Sequence, residues 1–392
     1  MAAPGSKHQL ATVVHRFGRE LMEKQRLNAV QVKALHNIMQ CRTAGLGGHE
    51  EVCEHCHEKR YSYNSCGDRH CPKCQATKQA LWVEEVTRLT LPIKHYHIIF
   101  TVPHDLNRVC LWNPTLYYNL LFSAVWRTLH SFGYSEYGVE TGAIAVLHSW
   151  GQNLSLHPHI HCIVPAAGYS LKGEWKRIGK QKQLFEVHQL SHTFKGKFLD
   201  SLRRKLRKMG MPNAFYKEIQ QAYKPDWVVF CEGSLASAEH VIRYLGQYTH
   251  RVAISNHRIL DITPTHVRFM AKDYRDGARQ KPVTLAGEEF LRRFCQHIFP
   301  KGLVRIRRYG IYHHTTKARM QLQFRTEEAI APKKPKDKKQ NPNTAEVVMQ
   351  LMGFDPGICP KCKKGRMQVV AQLPRIRAPV GMLPLLLLSK LL

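Results

Sequence analysis

The segment Leu156-His157-Pro158-His159-Ile160-His161-Cys162-Ile163-Val164 constrains the fold of this chain more than any other stretch. Successive side chains of a β-strand point to opposite faces, so His157, His159 and His161 share one face while Ile160 and Val164 lie on the other. The spacing predicts a rigid strand, buried on one side and carrying imidazoles on the other. Three solvated histidines on an open strand are the plain alternative, but the apolar partners between them favour a metal or phosphate site. Two or three histidines leave coordination positions open, so an ion held there can polarise a phosphate oxygen as a Lewis acid. His148, on the preceding predicted strand, is the best third ligand beside His159 and His161, with Gln152 and His157 as competitors.

That preceding strand, Ala143 to Trp150, leads through Gly151-Gln152-Asn153 into the histidine strand as a hairpin-like pair. Around it the pattern predicts a buried strand over Tyr96–Val102 and a helix over Leu116–Leu129. A strongly basic helix follows over Phe194–Met209, then a strand over Asp226–Cys231 and a helix running through about Tyr248. Short strands at Val252–Ser255 and Val267–Met270 and a helix over Glu288–Ile298 complete the series. Nearer the start, Val13, Val14, Phe17 and Leu21 have helical spacing and predict one or two basic amphipathic helices between Thr12 and Gln40. The expected organisation is N-terminal helices (1–40), a zinc-binding domain (41–80), an α+β core built on an antiparallel sheet (90–285) with a basic insertion (170–225), a C-terminal extension (286–330), a charged, proline-bearing linker (331–345) and a tail (346–392).

The cysteines are clustered, and with no apolar signal-peptide core in Met1–Leu10 and no run of about 20 apolar residues, a cytoplasmic chain is expected in which such spacing reads as zinc rather than disulfide. Cys53-x-x-Cys56 and Cys71-x-x-Cys74 form a zinc-ribbon pattern, four thiolates closing a tetrahedral structural site. Cys41, His49, Cys66 and His70 remain as a possible second site. Cys359-Pro360-Lys361-Cys362 is half a ribbon, which either completes a site elsewhere or is vestigial.

Lys and Arg outnumber Asp and Glu by 59 to 29, a formal charge of +30. A surface of that sign seeks polyanions, nucleic acid before membrane. Arg203, Arg204, Lys205, Arg207 and Lys208 of the basic helix are candidate phosphate contacts, as are Arg243 and Arg251. Between those last two, Tyr244 and Tyr248 are one helical turn apart and share a face. A buried aromatic pair is the ordinary explanation of that spacing, but here the two are set among Arg243, Gln247, His250 and Arg251. Two phenols on one face can address one metal-bound phosphate; with a free pKa of about 10, they need metal or basic neighbours to attack near neutral pH.

These motifs resemble the transposases of the insertion sequence ninety-one family, two-tyrosine members of the HUH endonucleases. The resemblance rests on Tyr61-x-Tyr63-Asn64-Ser65-Cys66 with Arg69-His70-Cys71-Pro72-Lys73-Cys74-Gln75, on His157-Pro158-His159-Ile160-His161, on Tyr244 to Asn256, and on Lys272-Asp273-Tyr274-Arg275-Asp276-Gly277. It covers most of residues 10 to 325. It implies an HUH endonuclease core and rolling-circle chemistry, in which a tyrosine cleaves one DNA strand, forms a 5′-phosphotyrosine bond and leaves a 3′-hydroxyl, with the second tyrosine serving strand transfer. Mapped residue by residue, His159 and His161 are the metal pair, with Mg²⁺ or Mn²⁺ as the ion, and Tyr244 and Tyr248 are the nucleophiles. The DNA partner would be single-stranded or unpaired ends, since the phosphate has to reach both metal and tyrosine. Two rivals are a histidine-triad nucleotide hydrolase, which leaves the cysteines, tyrosines and charge unexplained, and a zinc-dependent DNA-binding regulator, which leaves the histidines and tyrosines unused.

Overall fold

From its N-terminus the chain forms helices α1 (Leu10–Lys24) and α2 (Ala29–Gln40), strands β1 (Gly48–Cys53) and β2 (Lys59–Tyr63), and helix α3 (Pro72–Leu89). Strand β3 (His95–Thr101), helices α4 (Asn107–Trp112) and α5 (Pro114–Tyr137), and strands β4 (Val139–Glu140), β5 (Gly142–Trp150), β6 (Leu156–Pro165), β7 (Ala167–Ser170) and β8 (Trp175–Arg177) follow. Next come helices α6 (Val187–Lys208) and α7 (Tyr216–Tyr223), then β9 (Val229–Glu232), β10 (Ile259–Ile262), β11 (His266–Asp273), β12 (Arg279–Ala286), α8 (Gly287–Cys295), β13 (Ile306–Gly310) and β14 (Met367–Leu373). This computed structural model describes residues 8–91, 93–179, 183–232, 253–273, 276–316, 355 and 357–376.

The class is α+β with antiparallel sheets. The largest has the order β13-β5-β6-β3-β9, every neighbouring pair antiparallel. Its two central strands are the predicted hairpin, with His148 opposite His159 and Val146 opposite His161. One face carries Ala145, Leu147, Ile160, Cys162, Ile98 and Phe100 into the main core, closed over by α5 and α6. Local chemistry sets the ends of those helices. Asn113 Oδ1 accepts from the Leu116 amide at 3.0 Å ahead of Pro114, and Gly138, at φ 66°, ends α5; Glu186 caps α6 by accepting from the amides of His188 and Gln189.

A second core does not follow the linear order of the chain. The apolar stripe of α1 (Leu10, Val13, Val14, Phe17, Leu21) and Leu35 and Ile38 of α2 pack against Val267 and Phe269 of β11 and Phe290, Leu291 and Phe294 of α8. The N-terminal helices thus share a core with residues far along the sequence, because neither α1 nor the β10-β11-β12 sheet can bury its apolar face alone. Leu154, at the tip of the β5–β6 hairpin, is fully buried in this second core in spite of a positive φ of 63°. Tertiary packing holds a conformation that costs a leucine about 1–2 kcal/mol, and so fixes the hairpin between the two cores. The strand expected at Val252–Ser255 does not form over its described residues, 253–255. Ala253 and Ile254 are buried there and the strand starts at Ile259, since these two residues are used for packing rather than pairing.

Two buried histidines tie the layers together as neutral imidazoles. His95 donates from Nδ1 to the Ile93 carbonyl at 2.8 Å and accepts the Tyr312 hydroxyl at Nε2. His297 donates from Nε2 to the Leu154 carbonyl at 3.1 Å and accepts from Ser149 Oγ at Nδ1, 3.2 Å away. Burial pushes both from the usual 6.5 down to about 4. Between those values the unfolded chain binds more protons, so stability is full above about pH 6.5 and is lost as pH falls toward 4, on the order of 3 kcal/mol per histidine across the window. Urea unfolding at pH 7 and pH 5 should therefore show a smaller acid loss for His297→Gln than for wild type, by about 2 kcal/mol. Equal losses would remove His297 from this account.

Candidate metal centres and nucleic-acid surface

The other face of the central sheet carries the histidines. The candidate metal-binding nitrogens of His148, His159 and His161 all lie within 4.8 Å of one another, with His148 and His161 buried and His159 half-buried. Strand pairing accounts for this: β5 and β6 bring His148 directly opposite His159, and His161 is one pleat further along. The rings of His159 and His161 are held from behind. His159 Nδ1 is 2.7 Å from the His157 carbonyl, an acceptor only, so Nδ1 carries the proton and Nε2 offers its lone pair. His161 Nδ1 is 2.9 Å from Nε2 of His97 on β3, a ring-to-ring hydrogen bond that orients His161 and, with His161 as its donor, would leave Nε2 of His161 for the site. Desolvation pushes His159 down to about 4 and His161 further below its ordinary value, which keeps both in the neutral form a metal requires.

His157 stands apart from this group. It is exposed, its ring centroid is 5.2 Å from that of His159, and its part is the carbonyl that orients His159. Gln152 lies in the hairpin turn beyond the last paired residues, Trp150 and Leu156, where its carbonyl accepts the Arg258 guanidinium. His97 was not among the expected site residues. The sequence places it on a strand, but only the β3–β6 register puts it on the face of His161.

The expected ribbon of Cys53, Cys56, Cys71 and Cys74 is divided between two clusters. Cys41, Cys66, Cys71 and Cys74 converge in one, with Cys74 Sγ 3.4 Å from Cys41 Sγ and 3.6 Å from Cys66 Sγ. Cys41 sits at the C-terminal end of α2, and Cys71 and Cys74 flank the Pro72 start of α3, so two helix ends and a loop supply the sulfurs. Hydrogen bonds from the other three sulfurs hold the Cys74 thiol far below its ordinary pKa and push Cys66 and Cys71 above theirs, so the four sulfurs are close enough to share one anion among them. Cys53 and Cys56 converge instead with Cys359 and Cys362. The spacing of each CxxC was enough to predict a knuckle, but not which knuckle it faces. His49 and His70 do not join Cys41 and Cys66. His49 Nε2 is 3.3 Å from Glu51, while His70 bonds Asp68 at 3.0 Å through Nδ1 and accepts the Phe299 amide at Nε2. These cysteine clusters fit structural zinc.

Arg203, Arg204, Lys205, Arg207 and Lys208 lie on the outer side of α6, which packs on the sheet face opposite the histidines. Arg203 stacks over Tyr223 at 4.6 Å, and among the described residues none of the five pairs with a carboxylate. Tyr244, Tyr248, Arg243 and Arg251 lie outside the described residues, as do the predicted helix that carries them, Tyr274 and the 331–345 linker. Among the described residues no helix is long and apolar enough to cross a membrane.

Comparison with known proteins defines the class as a zinc-binding transposase. Residues 142–319 match the family described as "Putative transposase", and residues 13–102 match the "Transposase zinc-binding domain". The chain is 36% identical over 385 residues to the "Putative transposase y4qJ" of Sinorhizobium fredii, covering 95% of this chain and 97% of that one. It is 26% identical over 302 residues to the "Transposase for insertion sequence element IS801" of Pseudomonas savastanoi pv. phaseolicola, covering 74% and 72%. No solved structure matches the chain. The chain belongs to the insertion sequence ninety-one family: it is a transposase, and DNA is its substrate.

Proposed function

We propose that this transposase is an HUH-type, rolling-circle enzyme that cleaves and rejoins single DNA strands through a 5′-phosphotyrosine intermediate. The observation that carries the reading is the convergence of His148, His159 and His161 on one face of the central sheet, with the far nitrogens of His159 and His161 held by His157 and His97. Three imidazoles leave coordination positions for a scissile phosphate, and a divalent ion there, Mg²⁺ or Mn²⁺, would polarise its oxygens. Tyr244 and Tyr248 supply the nucleophiles. The segment that bears them begins directly after β9, whose last residue, Glu232, is paired with the same His97 that bonds His161. Attack by a phenolate oxygen on phosphorus forms the tyrosine ester and expels the 3′-oxygen of the neighbouring nucleotide, which becomes a hydroxyl.

The basic outer side of α6 has a different task in this scheme. Being across the sheet from the histidines, it would hold phosphates of a flanking DNA segment while the unpaired strand occupies the histidine face. A DNA-binding regulator needs no neutral, pre-oriented imidazoles, and a histidine-triad hydrolase leaves the cysteine clusters without a role. The test is to incubate the protein and Mn²⁺ with single-stranded and duplex oligonucleotides carrying the element's end, then resolve covalent products under denaturing conditions. A 5′-linked adduct on the single strand is expected; free, unlinked cleavage products would point to hydrolysis and sink the proposal.

A further inference from the structure

Two segments far apart in the sequence meet. Strand β14 lies antiparallel beside β1, with Cys53 opposite Met367 and Gly48 opposite Leu373, and it forms a three-stranded sheet with β1 and β2 in the order β14-β1-β2. Just ahead of β14, Cys359 and Cys362 face Cys56 and Cys53, with sulfurs 3.6 Å and 3.7 Å apart. From this geometry we infer that Cys53, Cys56, Cys359 and Cys362 bind a second zinc ion, so that the module near the N-terminus is completed only by the C-terminal CxxC.

The two knuckles are built alike, which chance contact of free thiols does not explain. In the first, the His57 amide bonds the Cys53 carbonyl at 3.0 Å, the Cys53 amide bonds the Glu58 carbonyl, and His57 has φ 55°. In the second, the Lys363 amide bonds the Cys359 carbonyl at 3.0 Å, the Cys359 amide bonds the Gly365 carbonyl, and Lys363 has φ 56°. Backbone amides also point at sulfur in both: His55 to Cys53 and Gly365 to Cys362, each at 3.4 Å. Amides aimed at sulfur stabilise thiolate, the ligand form.

The fit between the knuckles leaves no spare room. A Cβ on Gly365 would stand 2.7 Å from Cys53 Sγ and 2.6 Å from His55 Cβ, so this position tolerates only glycine while the knuckles face each other. Around the sulfurs, Glu54 accepts from the Arg366 amide at 3.0 Å and returns its own amide to the Arg366 carbonyl, and Lys361 pairs with Glu58 at 2.6 Å. Four thiolates with this closed set of neighbours leave no position for a substrate, so the ion is structural. It is distinct from the Cys41, Cys66, Cys71, Cys74 cluster, with which it shares no ligand.

The experiment measures bound zinc in the purified full-length protein together with alkylation of Cys359 and Cys362 by iodoacetamide, read by mass spectrometry. The two clusters predict two zinc ions per chain and protected Cys359 and Cys362. Cys359→Ser with Cys362→Ser should lower the content from two to one, and Gly365→Ala should weaken retention of one ion against a chelator without removing a ligand. Linkage is read from the other end of the chain: Cys53→Ser with Cys56→Ser should expose Cys359 and Cys362 to alkylation. Cys71→Ser should cost the other zinc and leave them protected, so general misfolding is told apart from loss of one site. One zinc per wild-type chain with Cys359 freely alkylated, or Cys359 and Cys362 still protected after Cys53 and Cys56 are replaced, would overturn the inference.

Discussion

A Tyr244→Phe, Tyr248→Phe double variant is expected to bind DNA and fold as wild type does while forming no covalent adduct. Phenylalanine keeps the ring and drops only the hydroxyl, so what is lost is the oxygen proposed as nucleophile. Arg243 and Arg251 are unchanged in the variant, so the charge of the segment is kept. Each single variant should retain cleavage by the remaining tyrosine yet fail to complete strand exchange, since breaking one strand needs one nucleophile and transferring it is served by two. The measurement is adduct yield on a labelled single-stranded substrate, alongside affinity and thermal unfolding as controls. Adduct at wild-type yield in the double variant would transfer the assignment to another tyrosine, Tyr274 first.

His159→Ala and His161→Ala should each abolish divalent-ion-dependent nicking. If the three imidazoles hold the proposed ion, losing one would weaken its anchoring and the charge it offers the phosphate, an effect of roughly two to three powers of ten in rate. Zinc content should not change, because the histidine face and the cysteine clusters share no ligand. Mn²⁺ should serve at least as well as Mg²⁺, which prefers oxygen ligands and parts reluctantly with its water. The single-turnover nicking rate, with chelated wild type as the floor, decides the matter. Rates in both variants equal to wild type would leave the three histidines without a catalytic role.

The short-range features were legible in the sequence. The hairpin that brings His148 toward His159 follows from a two-residue period and a Gly-Gln-Asn turn, and α1 from the spacing of Val13, Val14, Phe17 and Leu21. The meeting of Cys41 and Cys66 with Cys71 and Cys74 has no comparable signal. Nor does His97, which is one more histidine in an apolar strand until β3 is laid against β6.

What the sequence determined by itself is whatever depends on neighbours within a few residues: the period of each strand and helix, the shape of each CxxC knuckle, and the charge that draws DNA. Partnership was decided by the tertiary structure. Cys53 has Cys56 three residues away, yet its other two partners lie 306 and 309 positions further along (359 − 53 and 362 − 53), and α1 packs on a helix that starts at Gly287. A knuckle's local hydrogen bonds are the same whichever knuckle it meets, so the CxxC spacing alone carries no record of the choice. For Cys41, Cys71 and Cys74 that choice is made by burial in the second core, and for Cys53 and Cys56 by the backbone pairing of β1 with β14, which lays Cys359 and Cys362 beside them.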